Sequence, residues 1–377
     1  EADAEAVGAG ESLLGLSMRL RYVGYALDAT GYGEFARLML GALHEAGHEI
    51  ELSLLSDCME EPYRFGKAGE LAQELSTRQF EPGCAAHVNI VNTPPNAFAK
   101  GLHPSLPNIG VTMCEIFTVP ENWVTACNRM DGLLVPAEHS KLALVHSGVT
   151  KPIHVVPPGA PFAPLAAPRK GRPWTFLSMF EWRHPHKDPE RLLKAYWGAF
   201  QGVEDVLLRV KTFARGREGE GRIIGDITRW KAEMGLSSFP KVELVTGSWS
   251  EAEKETHYFE KTDVYVSSHH SEGWGLPIWE AMRVGLPVIA TAYGGNMAFM
   301  GDSAHRGAYT PKVGEWAVVH QDHLGKCMRW TYDNRTQARE LGHEGRKHVL
   351  TEFTRQKSAE AFVDALTRIG ISAGARR

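Results

Sequence analysis

Short apolar, β-branched runs alternate along the chain with amphipathic segments of helical length. In the first half the pattern predicts strands at Leu20–Tyr25, Ile50–Leu55, His87–Val91, Asn108–Thr112, Gly132–Val135 and Ile153–Val156, with helices between them. The clearest helix starts after Gly33, where Phe35, Leu38, Met39, Ala42 and Leu43 recur at helical spacing and Gly47 supplies the stop. A second alternating run predicts strands at Trp174–Met179, Val206–Lys211, Val242–Val245, Val264–Ser267 and Pro287–Thr291, then helices at Gln337–Leu350 and Arg355–Ile369. Strands that alternate with helices form parallel sheets covered on both faces, so the class is α/β. No fixed-period repeat interrupts the pattern.

Between the two runs, Pro157–Pro173 holds six prolines in 17 positions, too many for the interior of a strand or a helix. The chain crosses there in an extended form. This places an amino-terminal doubly wound domain over residues 1–160 and a carboxy-terminal one over 161–354. The last helix, about 355–377, is free to pack back on the first domain. A length of 377 residues suits two domains of roughly 150 residues or more each. Open α/β sheets bind ligands outside the carboxyl ends of their strands, so two facing sheets build one site from loops of both.

Composition narrows the function classes. With 41 Lys and Arg against 45 Asp and Glu the formal net charge is −4, and no long basic run suggests a nucleic-acid groove. No apolar stretch reaches the about 18 residues of a membrane span. The acidic, Ala/Gly-rich start is unlike a signal peptide, so a cytoplasmic protein is expected, with peripheral membrane contact left open. Five scattered cysteines, Cys58, Cys84, Cys114, Cys127 and Cys327, without Cys-x-x-Cys predict reduced thiols rather than a disulfide frame or a zinc site.

Candidate chemistry concentrates in Ser271–Thr291, SEGWGLPIWEAMRVGLPVIAT, which follows the apolar run DVYVSS. It reads as strand, glycine loop, helix, strand. Gly273 and Gly275 free the backbone, Pro277 suits a first helical turn, and Gly285 and Pro287 close the helix. Such a loop aims unpaired N–H groups and a positive dipole end at the cleft, where a phosphate is the natural guest. Glu272 precedes this helix and Glu280 lies eight positions on, so the two carboxylates serve separate parts of one extended ligand. A sugar nucleotide has vicinal hydroxyls on either side of its pyrophosphate. As isolated features, Glu272 would read as a helix cap and Glu280 as a solvated helix residue; the glycine–proline loop between them sets that reading aside.

The block from Glu272 to Met282, with Gly285-Leu-Pro287 and Gly294-Gly295-Asn296, resembles the signature of the retaining GT-B-fold glycosyltransferases of family four, the glycosyl transferases group 1. Asp28-Ala-Thr-Gly31-Tyr-Gly33-Glu-Phe-Ala-Arg37 resembles the amino-terminal glycine loop of that family. Val111–Glu115, Pro120–Trp123, Val135-Pro136 and Val155–Gly159 resemble a subgroup, so the similarity runs from about Arg21 to Phe353. The resemblance implies two Rossmann-like domains facing each other across a cleft. It also implies transfer of a hexose from a GDP-, UDP- or ADP-linked donor to a hydroxyl of a glycan, lipid or small molecule, with retention of configuration.

In those terms Glu272 would contact the donor sugar, Gly275-Leu276-Pro277 would hold the pyrophosphate, and Glu280 would bind the ribose. Arg183 and Lys187 stand where the family places two phosphate-gripping cations, one residue off its commonest interval. Gly31 and Gly33 would approach the donor from the opposite domain. Growing charge on the leaving diphosphate would be stabilised by these cations and helix N–H groups without a metal or other cofactor. The sequence contains no Asp-x-Asp; His184-x-His186 and His269-His270 are the pairs open to a metal reading. Many relatives carry a donor-facing histidine where Thr112-Met113-Cys114-Glu115 stands here, and Gly301–Trp316 is short beside the loop of the subgroup.

Two other readings remain. Gly31-x-Gly33-x-x-Ala36, with Glu51 downstream, also satisfies a dinucleotide fingerprint and would suit an NAD-dependent oxidoreductase. A sugar-nucleotide-binding protein without transfer activity would keep the same loop. A phosphate-loop NTPase is excluded, since no G-x-x-x-x-G-K-[ST] occurs. The base would meet main chain around Gly247–Ser250 and a pocket near Lys211, while Asn92–Ala99 and Glu115–Asn122 are candidate acceptor loops.

Overall fold

The apolar runs of the first half assemble into one parallel sheet: β1 (Arg19–Gly24), β2 (Glu49–Leu54), β3 (Val88–Asn92), β4 (Asn108–Val111), β5 (Gly132–Val135) and β6 (Ile153–Val155). Their order across the sheet is β2-β1-β3-β4-β5-β6. The second half forms a separate parallel sheet from β7 (Trp174–Met179), β8 (Val206–Lys211), β9 (Lys241–Val245), β10 (Val264–Ser267), β11 (Val288–Thr291) and β12 (His305–Gly307). Its order is β12-β11-β10-β7-β8-β9. A small antiparallel pair, β13 (Tyr309–Pro311) and β14 (Ala317–Val319), lies outside both. This computed structural model describes residues 17–55, 59–161, 163–166, 172–213, 216–300, 305–307, 309–311 and 317–372. The stretch Gly301–Trp316 falls outside the described residues except for β12 and β13, and Cys58 falls outside them altogether.

Helices clothe both sheets, which is why β3, β5, β8, β10 and β11 are buried along their whole length and are mostly apolar, with Asn89, Asn92, Arg209 and Lys211 as buried polar exceptions in β3 and β8. On the first sheet they are α1 (Gly31–Glu45), α2 (Gly66–Thr77), α3 (Glu121–Cys127) and α4 (Glu138–His146). The second half adds α5 (Pro189–Ala199), α6 (Gly216–Met234), α7 (Glu251–Glu260), α8 (Leu276–Arg283), α9 (Met297–Met300), α10 (Gln321–Asp333), α11 (Arg335–Glu352) and α12 (Arg355–Arg368). Among the described cysteines, Cys84, Cys114, Cys127 and Cys327 are free thiols. No helix of the described residues is long and apolar enough to cross a membrane.

The chain passes between the two sheets twice, and the passages touch. After β6 it runs extended, and Ala160 donates its N–H to the Phe353 carbonyl at 2.7 Å where α11 ends. Gly159 permits this contact, because a Cβ there would lie 2.5 Å from the Arg355 Cα. Helix α12 then returns to the first sheet and places Phe362, Ala365 and Leu366 in its core. The Ser358 hydroxyl donates to the Pro157 carbonyl at 2.7 Å, fixing that return. The two passages form a narrow waist beside the cleft that separates the domains.

Candidate active site

The carboxyl ends of both sheets face a cleft of about 680 Å³, lined by residues of both domains. Its central feature is the turn between β10 and α8. Gly275 caps α8 with φ +89°, a left-handed conformation that glycine adopts without strain, and no side chain caps the first turn. The first N–H groups of α8 therefore have no intrahelical acceptor and point at the cleft with the positive dipole end. Two further glycines let the next loop press against this turn: a Cβ on Gly295 would lie 1.9 Å from the Gly273 carbonyl oxygen, and one on Gly294 2.7 Å from the Glu272 nitrogen. Gly295 donates its own N–H to the Glu272 carbonyl at 2.6 Å.

Glu272 and Lys187 meet at this turn. The Lys187 ammonium donates to Glu272 Oε1 at 2.7 Å and lies 4.0 Å from Glu115, which comes from the opposite domain. Burial alone would lower Lys187, but Glu272 and Glu115 outweigh it and hold the ammonium above its ordinary value. Glu115 also faces His186 at 3.1 Å. Burial would raise its carboxyl, yet His186 and Lys187 bring it down to about 2.

Lys187 is delivered by a short helical turn, Pro185–Lys187, that ends at Asp188 with φ +47°. A non-glycine residue in that region is strained, and such strain persists where surroundings over-determine it. Here Asp188 caps α5 through the Arg191 N–H at 3.2 Å, and the Ser268 hydroxyl donates to the Lys187 and Asp188 carbonyls at 3.0 and 2.9 Å.

Eight residues beyond Glu272, the Glu280 carboxylate is buried and held at both oxygens. Lys254 of α7 donates to Oε1 at 2.6 Å and the Tyr258 hydroxyl to Oε2 at 3.1 Å. Lys254 also pairs with Glu251 at 3.0 Å and, across the cleft, with Glu34 of α1 at 3.5 Å. Burial pushes Glu280 up against the pull of Lys254, with Glu34 and Glu251 adding to the rise. Glu34 is carried the other way, down to about 2, because Lys254 and Arg37 overcome its burial.

The amino-terminal wall is Asp28–Gly31 together with Met113 and Glu115. Thr30 caps α1 by accepting from the Gly33 N–H at 3.2 Å. Gly31 lines the cleft, whereas Gly33 is buried; a Cβ on it would lie 2.2 Å from the Asp28 carbonyl oxygen. Gly33 thus lets the Tyr25–Asp28 turn lie on the helix start instead of offering its backbone to a ligand. Of the segment standing in place of the donor-facing histidine, Met113 abuts Gly273, Cys114 is buried in the core of the first domain, and Glu115 alone presents a charge to the cleft.

The structure brings together Gly31, Lys187, Gly273, Gly275, Leu276, Pro277, Glu272 and Glu280 on one cleft. Arg183 does not join them. Its neighbour Trp182 is buried, with the ring N–H donating to Asp226 at 3.0 Å, and Arg183 turns into an adjoining hollow of about 100 Å³ with Arg222, which shares Glu181 and Phe213 with the cleft. Glu51, the acidic residue of the dinucleotide reading, lies within β2 opposite Arg21 and does not line the cleft.

The histidine pairs have protein partners. His269 contacts the Ser267 hydroxyl at 2.9 Å and Asn296 at 3.2 Å, and burial lowers it to about 4; His270 faces Asp188 at 3.3 Å. Among the described residues no group of three or more His, Cys, Asp or Glu is arranged to hold a metal ion.

Lys254, Tyr258 and Glu34 escape sequence reasoning, because each acquires its role from a partner distant along the chain. The one local signal is the Ser250-x-x-Glu253 capping box, which marks the start of α7 without indicating where Lys254 points.

Two doubly wound domains with this cleft between them define the GT-B fold. Residues 241–348 match the family described as Glycosyl transferases group 1, and the chain is a glycosyltransferase. Solved structures similar over nearly the whole chain agree in fold. HepE of Anabaena, crystallised with UDP and glucose, has a TM-score of 0.65 at 14% identity, over 93% of this chain and 100% of that one. Sucrose-phosphate synthase of Thermosynechococcus elongatus has a TM-score of 0.66 at 16% identity, over 94% and 99%. A glycosyltransferase of Rickettsia africae has a TM-score of 0.64 at 11% identity, over 94% and 98%. No curated protein sequence matches the chain.

Proposed function

We propose that the chain transfers a hexose from a nucleoside-diphosphate sugar to an acceptor hydroxyl, with retention of configuration and without a metal ion. The observation that carries this reading is the uncapped first turn of α8, with Lys187 beside it and Glu272 and Glu280 on either side. A diphosphate seated on that turn would meet helix N–H groups and one ammonium. Charge that develops on its oxygen as the bond to the sugar breaks would be stabilised more than the ground state. Solved relatives of the same fold support such a donor: HepE was crystallised with UDP-glucose as well as with UDP.

In this scheme the bond from the anomeric carbon to the phosphate oxygen breaks and a bond to the acceptor oxygen forms on the same face. The acceptor proton passes to the departing phosphate oxygen. Glu272 orients the sugar, Glu280 takes the ribose hydroxyls, and closure of the cleft keeps water from competing with the acceptor. Lys187 must exchange one carboxylate neighbour for the diphosphate on binding.

Calorimetric titration with UDP-glucose, GDP-mannose and ADP-glucose, on the wild type and on Glu280→Ala and Lys187→Ala, tests the assignment. The reading predicts weaker donor binding in both variants and the larger turnover loss, on the order of 10²-fold, in Lys187→Ala. Unchanged affinity and turnover in both variants would remove it.

A further inference from the structure

Past Glu280 the cleft continues along Lys254 and Glu251 to the Trp249 ring, which stacks on His257 with centroids 3.9 Å apart. Lys211, the last residue of β8, lies at this end with its ammonium 5.3 Å from the Trp249 centroid. It is only 8% exposed, yet it lines the cleft. Its acceptors are backbone carbonyls, that of Gly247 and, at 3.4 Å, that of Thr212. Among the described residues no carboxylate lies within ion-pair distance of it. An ammonium kept out of water without an ion-pair partner is unfavourable, and burial lowers Lys211 from its ordinary value against the weaker pull of the Glu253 charge. An ammonium has three donors and accepts nothing, so a ligand atom beside it must be an acceptor.

Phe180, Phe213 and Trp249 also line the cleft and supply apolar surface for a flat ring. The carboxylates of Glu251 and Glu280 flank the path back to the Gly275 turn, which disfavours a second phosphate here and favours a neutral group. We propose that Lys211 reads a ring carbonyl of the donor nucleobase, so that the cleft takes a keto base, uracil or guanine, in preference to an amino base, adenine or cytosine. Uracil O4 and guanine O6 accept a hydrogen bond, whereas the adenine and cytosine amino groups at the same edge donate, setting donor against donor. The inference rests on the sugar-nucleotide reading and deepens it by naming the class of base.

Calorimetry with UDP, GDP, ADP and CDP on the full chain tests it. The wild type is expected to bind UDP or GDP about tenfold or more tightly than ADP and CDP, the discrimination of one charge-assisted hydrogen bond. In Lys211→Met, which keeps the length of the side chain, that gap closes to within about threefold, while Lys211→Arg, which keeps donors, keeps the preference. The wild-type ranking stands without either variant. Equal binding of all four nucleotides, or a keto preference surviving in Lys211→Met, overturns the role of Lys211 alone. Absence of binding by any of the four overturns the sugar-nucleotide reading as well.

Discussion

Lys187 is held between Glu272 of its own domain and Glu115 of the other, so carboxylate oxygens stand where the proposal puts phosphate oxygens. The same design recurs at Lys254, placed among Glu280, Glu251 and Glu34. In each case a lysine of the second domain meets a glutamate of the first, and the pairing leaves a titration signature. Glu115 and Glu34 are both held at about 2, below the ordinary 4.5, so each contributes stability that is fully present above pH 4.5 and is lost as pH falls toward 2. Urea unfolding across that window should show the wild type converging on Glu115→Gln and on Glu34→Gln as the pH drops. A stability difference that stays constant from pH 4.5 to 2 contradicts the pairing.

Among the elements, Gly275 and Gly31 of the two cleft loops are not equivalent. Gly275→Ala meets a left-handed backbone at φ +89° and puts a Cβ 3.2 Å from Ile278 and 3.3 Å from Asn296. It should cost about 1–2 kcal/mol in thermal unfolding and weaken donor binding. Gly31→Ala finds nothing within 4 Å and should stay within about 0.5 kcal/mol of the wild type. Equal effects of the two would undo the distinction. Helix α12 supplies a third case: Phe362 is fully buried in the core of the first domain, so Phe362→Ala should cost about 3–5 kcal/mol although it lies far along the chain.

These elements differ in how far they can be read from the chain. Strands such as Trp174–Met179, Val206–Lys211 and Val264–Ser267 are legible because helices cover both of their faces, which makes most positions of each run apolar. The Glu272–Glu280 block is legible because its glycines and proline have local conformational meaning. The Glu34–Lys254 and Glu115–Lys187 pairs are not, since nothing local to a lysine says which carboxylate folding will bring to it. The turn of Arg183 into the adjoining hollow is hidden for the same reason, because it follows from the burial of Trp182 against Thr212 and Asp226.

In the whole molecule, the two domains are joined by two touching passages of the chain and by a row of contacts across the cleft. Glu115 meets Lys187 and His186, Glu34 meets Lys254, and Arg64 donates to the Ser248 carbonyl at 3.4 Å. On the proposed function, a donor seated on the Gly275 turn would exchange a carboxylate partner of Lys187, one of which, Glu115, belongs to the opposite domain. Whether the Gly275 turn seats the diphosphate of a sugar nucleotide is decided by a crystal structure of the chain with UDP-glucose. Density for the diphosphate is expected on the first N–H groups of α8 with Lys187 turned to it, and the ribose at Glu280. UDP-glucose bound elsewhere, with that turn empty and Lys187 still on Glu272, would contradict that seating.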